Sequence, residues 1–284
     1  METGSNAKSD AGSQEEPKIQ GIETPLGAPP KTEDKKPHRI TKRWVRTNRI
    51  SRPRTLAIDV GGTGIKAEIL DSQGKPVTER TRVQTPHPAT PAAVLGAIQK
   101  ITDGQGGFER VSVGFPGVVK FGTVLTAPNL SPRWKKFNLG KALHRIYGKP
   151  VRVSNDADVQ GYGVIRGHGV EMVITLGTGV GSALFVDGKL VPNLELGHHP
   201  FIKGKTYEEK LSHAALDAAG KKKWNKRLKK AVRELQLIFN FDRLYLGGGD
   251  AKHIDFKLPE NVKVVSNQAG LWGGIALWQE ASSR

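Results

Sequence analysis

The chain has no cysteine among its 284 residues, which excludes a disulfide framework and any zinc site built on thiolates. No apolar run approaches the roughly 20 residues that a membrane-spanning helix needs. The N-terminus lacks the apolar core of a secretory signal, so the expected location is the cytoplasm. Acidic residues are scarce beside basic ones, 27 against 44, for a net charge of +17. The deficit is not confined to one end. Through Arg54 there are 12 basic and 7 acidic residues, and the rest of the chain holds 32 against 20. A surplus of this kind suits a nucleic acid, a membrane surface or a polyanionic substrate. Large apolar side chains are scarce over residues 1 to about 50, which are rich in Lys, Glu, Pro, Gly and Ser. Such a segment buries too little surface to offset the entropy of ordering it. Residues 1–53 are therefore read as a disordered basic tail able to touch polyanions nonspecifically. They show no pair of helices of a helix-turn-helix domain.

What the chain has in quantity is glycine, placed at the ends of apolar runs. In Thr55–Asp71, TLAIDVGGTGIKAEILD, a short strand-like run carries Asp59, a turn of Gly61, Gly62, Thr63 and Gly64 follows, and alternation resumes. Glycine permits φ > 0 and close approach of a ligand to the backbone, and successive turn N–H groups converge on an anion. Thr63 adds a hydroxyl, Lys66 a cation, and Asp59 a carboxylate suited to a hydrated Mg²⁺. Leu176-Gly-Thr-Gly-Val-Gly181 repeats the theme after Met172–Thr175, and Leu246-Gly-Gly-Gly-Asp250 follows Arg243-Leu-Tyr245. No loop runs into the Gly-Lys-Ser/Thr of a P-loop. The dinucleotide fingerprint also fails, because Asp59 precedes the glycines and a strand follows them.

The length accommodates one large or two modest domains. Strands are expected at 54–60, 64–71, 76–84, 110–115, 118–126, 151–153, 171–176, 181–187, 243–247 and 262–265. Thr90-Pro91 starts a helix running to about Ile101. Further helices are expected at 139–147, 155–166, 206–218, 221–239 and 270–281. Both halves read strand, glycine turn, strand, then alternating helix and strand. The inference is a two-lobed α/β protein, with an N-terminal lobe over 54–157, a C-terminal lobe over 158–284, and a ligand cleft between them.

Asp59–Lys66, Leu176–Ser182 and Leu246–Gly249 resemble the two phosphate motifs and the adenosine motif of the actin–hexokinase–sugar kinase superfamily. Ser154-Asn-Asp-Ala157 and Glu195-Leu-Gly-His198 are similar to the ROK (repressor, ORF, kinase) family of sugar kinases. Leu176–His198, Gly114-Phe-Pro-Gly-Val-Val119 and Asn155–Asp158 are most similar to the family's polyphosphate glucokinases. The resemblance spans about residues 54–281 and implies the actin-like ATPase (ribonuclease H-like) fold. It implies phosphoryl transfer from ATP or polyphosphate to the 6-hydroxyl of glucose, with Mg²⁺ and without zinc. On it, Asp156 is the catalytic base, and Asn129, Asn155, Glu195 and His198 hold sugar hydroxyls. Gly61, Gly62, Thr63 and Lys66 form the first phosphate loop, and Gly177, Thr178 and Gly179 the second. Gly247, Gly248 and Gly249 meet the nucleoside or the distal donor, and Asp59 stands near the Mg²⁺. By analogy the protein is a homodimer. An ATP-dependent kinase for another hexose or amino sugar, or a non-catalytic sugar-sensing or nucleic-acid-associated protein, is the alternative.

Taken by themselves, some of these residues have plainer readings. Asp156 could cap the helix that starts there, either His198 or His199 could face inward, and Asp158 reads as a helix-surface acid. A polyphosphate donor needs a basic track. Lys120, Arg133, Lys135, Lys136 and Lys221–Arg233, KKKWNKRLKKAVR, are the candidates. The last has eight cations and no acid, with Trp224, Leu228, Ala231 and Leu235 expected to face inward.

Overall fold

The computed structural model describes residues 53–266 and 273–278. The expected N-terminal tail therefore lies outside the described residues except for Pro53.

In the first lobe β1 (Thr55–Val60) and β2 (Gly64–Leu70) form an antiparallel hairpin whose register ends on Val60↔Ile65. Their β-branched residues suit a pleated sheet buried on both faces, and Leu56, Ile58, Val60 and Ile65 belong to its core. β3 (Thr81–Gln84) adds to β2. α1 (Pro91–Thr102) starts where Thr90 Oγ1 accepts the Ala93 N–H at 3.3 Å. β4 (Arg110–Phe115) pairs parallel with β1. β5 (Val119–Lys120) and β6 (Thr123–Val124) form a small hairpin. α2 (Leu139–Tyr147) leads to β7 (Val151–Asn155), which runs parallel to β4 and ends where α3 (Asp156–Tyr162) begins.

The second lobe holds β8 (Val170–Leu176), β9 (Val180–Val186), β10 (Lys189–Val191), β11 (Pro200–Ile202) and β12 (Lys205–Thr206). There follow α4 (Tyr207–Leu211), α5 (His213–Ala219), α6 (Lys221–Phe239), β13 (Arg243–Gly247) and β14 (Val262–Val264). The sheet orders are β3-β2-β1-β4-β7 and β10-β9-β8-β13-β14. Each sheet has an antiparallel meander on one side and two parallel strands on the other. The repeat read from the glycine loops is thus a repeat of topology. On α6 the expected stripe is buried: Trp224, Leu228, Ala231 and Leu235, with Trp224 Nε1 donating to the Leu211 carbonyl at 2.9 Å.

α3 connects the lobes. It packs on β4 and β7 of one sheet and on β8 and β9 of the other. Gly161 makes the second contact possible, since a Cβ there would stand 2.5 Å from the Phe185 ring.

Several expectations change. The strand expected over 76–84 is regular only over 81–84, because Thr78 Oγ1 and the Val77 N–H divert the preceding residues into bonds with Ile69. The strand expected over 118–126 is a hairpin, turned by Phe121 and Gly122 at φ 50° and 73°. The helix expected over 155–166 stops at Tyr162. That over 206–218 breaks at Ser212, whose ψ of 168° is extended. The break lets the His213 N–H reach the Gly177 carbonyl at 2.7 Å. Asp158 is 1% exposed, not a surface acid, and accepts a hydrogen bond from Ser154 Oγ at 3.3 Å. Of the expected closing helix, residues 273–278 form a 3-10 turn lying against the first sheet. There Ser112 Oγ donates to the Gly274 carbonyl at 2.6 Å and accepts from Trp278 Nε1 at 2.8 Å.

Candidate active site

Between the lobes lies a cavity of about 220 Å³ whose walls come from the ends of β1, β8 and β13 and the start of α3. Asp59, Gly61, Gly62, Thr63, Lys66, Asn129, Asn155, Asp156, Gly177, Thr178, Gly179, Glu195, His198, Gly248 and Gly249 all line it. Segments more than a hundred residues apart are brought together by the matching sheets. Of the expected site residues only Gly247 is missing from the lining. His198 lines the cavity and His199 does not.

The loops work by close approach more than by unusual φ. Gly61, Gly62 and Gly64 are absent from the positive-φ residues. Instead the Gly61 N–H closes the turn on the Gly64 carbonyl at 3.0 Å. A Cβ on Gly62 would lie 3.7 Å from Thr178 Cγ2, so the first and second loops face each other across the cleft. Gly248 does need the left-handed region, at φ 89°, and it packs directly on the Leu176 backbone. Glu208, which sequence reasoning missed, accepts the Val180 N–H at 3.1 Å and steadies the second loop. It sits inside an ordinary helix-capping pattern, Thr206 to Glu209, and carried no separate signal.

The start of α3 resolves one alternative. Asn155 is the helix cap: Oδ1 accepts the N–H groups of Ala157 at 2.8 Å and Asp158 at 3.3 Å. Its Nδ2 donates to the Gly117 carbonyl at 3.2 Å and to Glu195 Oε1 at 3.5 Å. Asp156, freed from capping, takes the first helical position, and its Oδ1 accepts the Ala157 N–H at 2.8 Å. Burial, followed by the negative charge of Asp59, pushes the Asp156 carboxyl up to about 7, with Glu195 and Asp158 adding to the shift and the Ala157 N–H opposing it. Burial also raises Glu195, against the pull of His198, whose Nε2 is 3.7 Å from Glu195 Oε2. Asp59 pairs with Lys66 at 2.9 Å.

Among the described residues no cluster of three or more His, Asp or Glu side chains forms a metal cage. Mg²⁺ commonly takes one or two carboxylates and completes its shell with water and substrate phosphates. Asp59 is a carboxylate of the cavity lining, at the edge of the first loop. The α6 cations do not line the cavity. Lys222, Lys223, Lys226, Lys229 and Arg233 have no carboxylate partner among the described residues.

Comparison with known proteins agrees with this architecture. Residues 55–213 match the model of the ROK family. The chain is similar to the polyphosphate glucokinase of Mycobacterium tuberculosis, 37% identical over 217 residues, covering 72% of this chain and 80% of that protein. It is also similar to the polyphosphate glucokinase of Mycobacterium leprae, 35% identical over 243 residues, covering 78% and 74%. A crystal structure of inorganic polyphosphate/ATP-glucomannokinase from Arthrobacter sp. strain KM superposes with a TM-score of 0.73 at 34% identity, covering 82% of this chain and all of that one. The two-lobed α/β fold is that of the actin-like ATPases, and the chain belongs to the ROK family.

Proposed function

We propose that this protein transfers a phosphoryl group from inorganic polyphosphate, ATP or both to the 6-hydroxyl of glucose, with Asp156 as general base. The observation that carries the reading is Asp156 itself, a carboxyl raised to about 7 at the meeting point of the glycine loops. A general base works best with a pKa near the operating pH.

The chemistry follows from what each residue has left to give. Asn155 spends its oxygen on two helix N–H groups and its amide hydrogens on Gly117 and Glu195. It therefore orients Asp156 and Glu195 as much as it meets the sugar. Asp156 Oδ1 is held by the Ala157 N–H, and Oδ2 takes the hydroxyl proton. Glu195, His198 and Asn129 supply the acceptors and donors that fix a ring of hydroxyls, and a missing hydroxyl would leave one of them without its partner. As the sugar oxygen bonds to the terminal phosphorus, the bridging P–O bond breaks and the shortened donor leaves. Loop N–H groups and Lys66 meet the phosphate oxygens, and catalysis is mainly positioning and charge neutralisation. Bound at Asp59, Mg²⁺ would neutralise phosphate charge.

For the donor, the relatives are named for polyphosphate, and the Arthrobacter enzyme for both polyphosphate and ATP. The exposed cations of α6 without a carboxylate partner among the described residues, on a helix packed against α4, offer the basic surface that a long polyanion needs. Initial rates of glucose phosphorylation with polyphosphate, ATP and GTP side by side test the reading. Turnover with polyphosphate or ATP supports it. No turnover with either, for glucose, other hexoses or amino sugars, overturns it.

A further inference from the structure

The mechanism leaves one polar group in the cavity without a task. Gln160 lines the cavity together with Thr175, Gly248 and Gly249. It follows Asp156 by four positions on α3, so the two side chains share a helix face. Its Nε2 is buried and has no hydrogen-bond partner among the described residues. A buried amide donor without a partner carries its full desolvation penalty. In a native protein such a group calls for an explanation, a bound ligand among them.

The surroundings say which ligand. Gly247 ends β13 directly against the amide: a Cβ there would lie 2.6 Å from Nε2. Gly248, the next residue, packs on Leu176 of the second loop. Gln160 thus sits where the second and third glycine loops meet. Asn155 and Glu195, both assigned to the sugar, meet at the other end of α3. The five steps from Asn155 to Gln160 rise about 7.5 Å along the helix.

We infer that Gln160 is a donor-binding residue: its amide turns out from beneath Gly247 when the phosphoryl donor binds beside Gly248 and Gly249, and its N–H groups then hydrogen-bond a phosphate oxygen. Gly247 has no side chain because the Gln160 amide occupies that space. The inference rests on the proposed kinase reading, from which it takes the donor.

Gln160→Glu keeps the shape, removes both N–H donors and adds a negative charge. Gln160→Leu removes the polarity alone. For Glu the KM for tripolyphosphate or ATP is expected to rise about tenfold or more, with a smaller rise for Leu. The glucose KM is expected to stay close to wild type. Calorimetric binding of tripolyphosphate without glucose should weaken in the same order. Donor KM and tripolyphosphate binding unchanged in Gln160→Glu would overturn the assignment, as would an equal rise in donor and glucose KM in both variants. If wild-type protein phosphorylates no sugar, the kinase reading fails, and tripolyphosphate binding to wild type against Gln160→Glu still decides the role of Gln160.

Discussion

Lys66 Nζ lies 2.9 Å from Asp59 Oδ2, across a directly opposed pair of residues on β1 and β2. This contact partly neutralises the charge that, after burial, does most to raise Asp156. Lys66→Gln leaves the Asp59 charge bare, disfavours the Asp156 anion and lifts its pKa further. The acid limb of the kcat/KM profile, which reports the free enzyme, should centre near pH 7 in wild type and move up by about one unit or less in the variant. A profile that stays in place or moves down would show that Asp156 does not set that limb.

The same carboxyl makes stability depend on pH. Its folded pKa of about 7 is above the ordinary aspartate value of 3.8. Between those values the native state holds the extra proton, so this group's contribution to stability falls as pH rises through the window. Asp156→Asn should therefore be more stable than wild type by roughly 1–3 kcal/mol at pH 8 and nearly equal to it at pH 4. Urea denaturation at the two pH values checks this.

The α6 cations are expected to matter for a long donor more than a short one. Reversing Lys222, Lys226 and Lys229 to Glu on the exposed side should raise the KM for long-chain polyphosphate by about tenfold or more. The KM for ATP should change far less, and the wild-type polyphosphate KM should itself rise with salt. Equal effects on both donors would assign the helix a structural role.

Gly161 is a packing requirement. Gly161→Ala should destabilise the protein by about 1–3 kcal/mol, because the added methyl meets the Phe185 ring where α3 joins the second sheet. Phe185→Leu in the same chain should recover part of the loss in a double-mutant cycle.

Much of this site is legible in the sequence because its main signals are local. Asp59 with its glycines, Asn155-Asp156 and Leu176–Gly181 each sit at the end of an apolar run, and matching sheets bring those ends together. What escapes is set by distant neighbours. Glu208 looks like one acid of a capped helix until the Val180 N–H meets it. Gln160 looks like a surface residue of α3 until Gly247 closes over its amide. The break at Ser212 follows no helix-breaking residue; the His213 N–H leaves the helix for Gly177. The turn over 273–278 reads as part of the second lobe, yet it binds Ser112 in the first.

In the proposed reaction Asp156 takes the proton of a sugar hydroxyl as phosphoryl transfer proceeds. Its most direct test is the initial rate of glucose 6-phosphate formation by wild type and Asp156→Asn at saturating glucose and donor, with glucose binding measured in parallel. The kcat of Asp156→Asn is expected to be lower by about 10²–10⁴, with glucose affinity nearly retained. An Asp156→Asn enzyme turning over at the wild-type rate would contradict it.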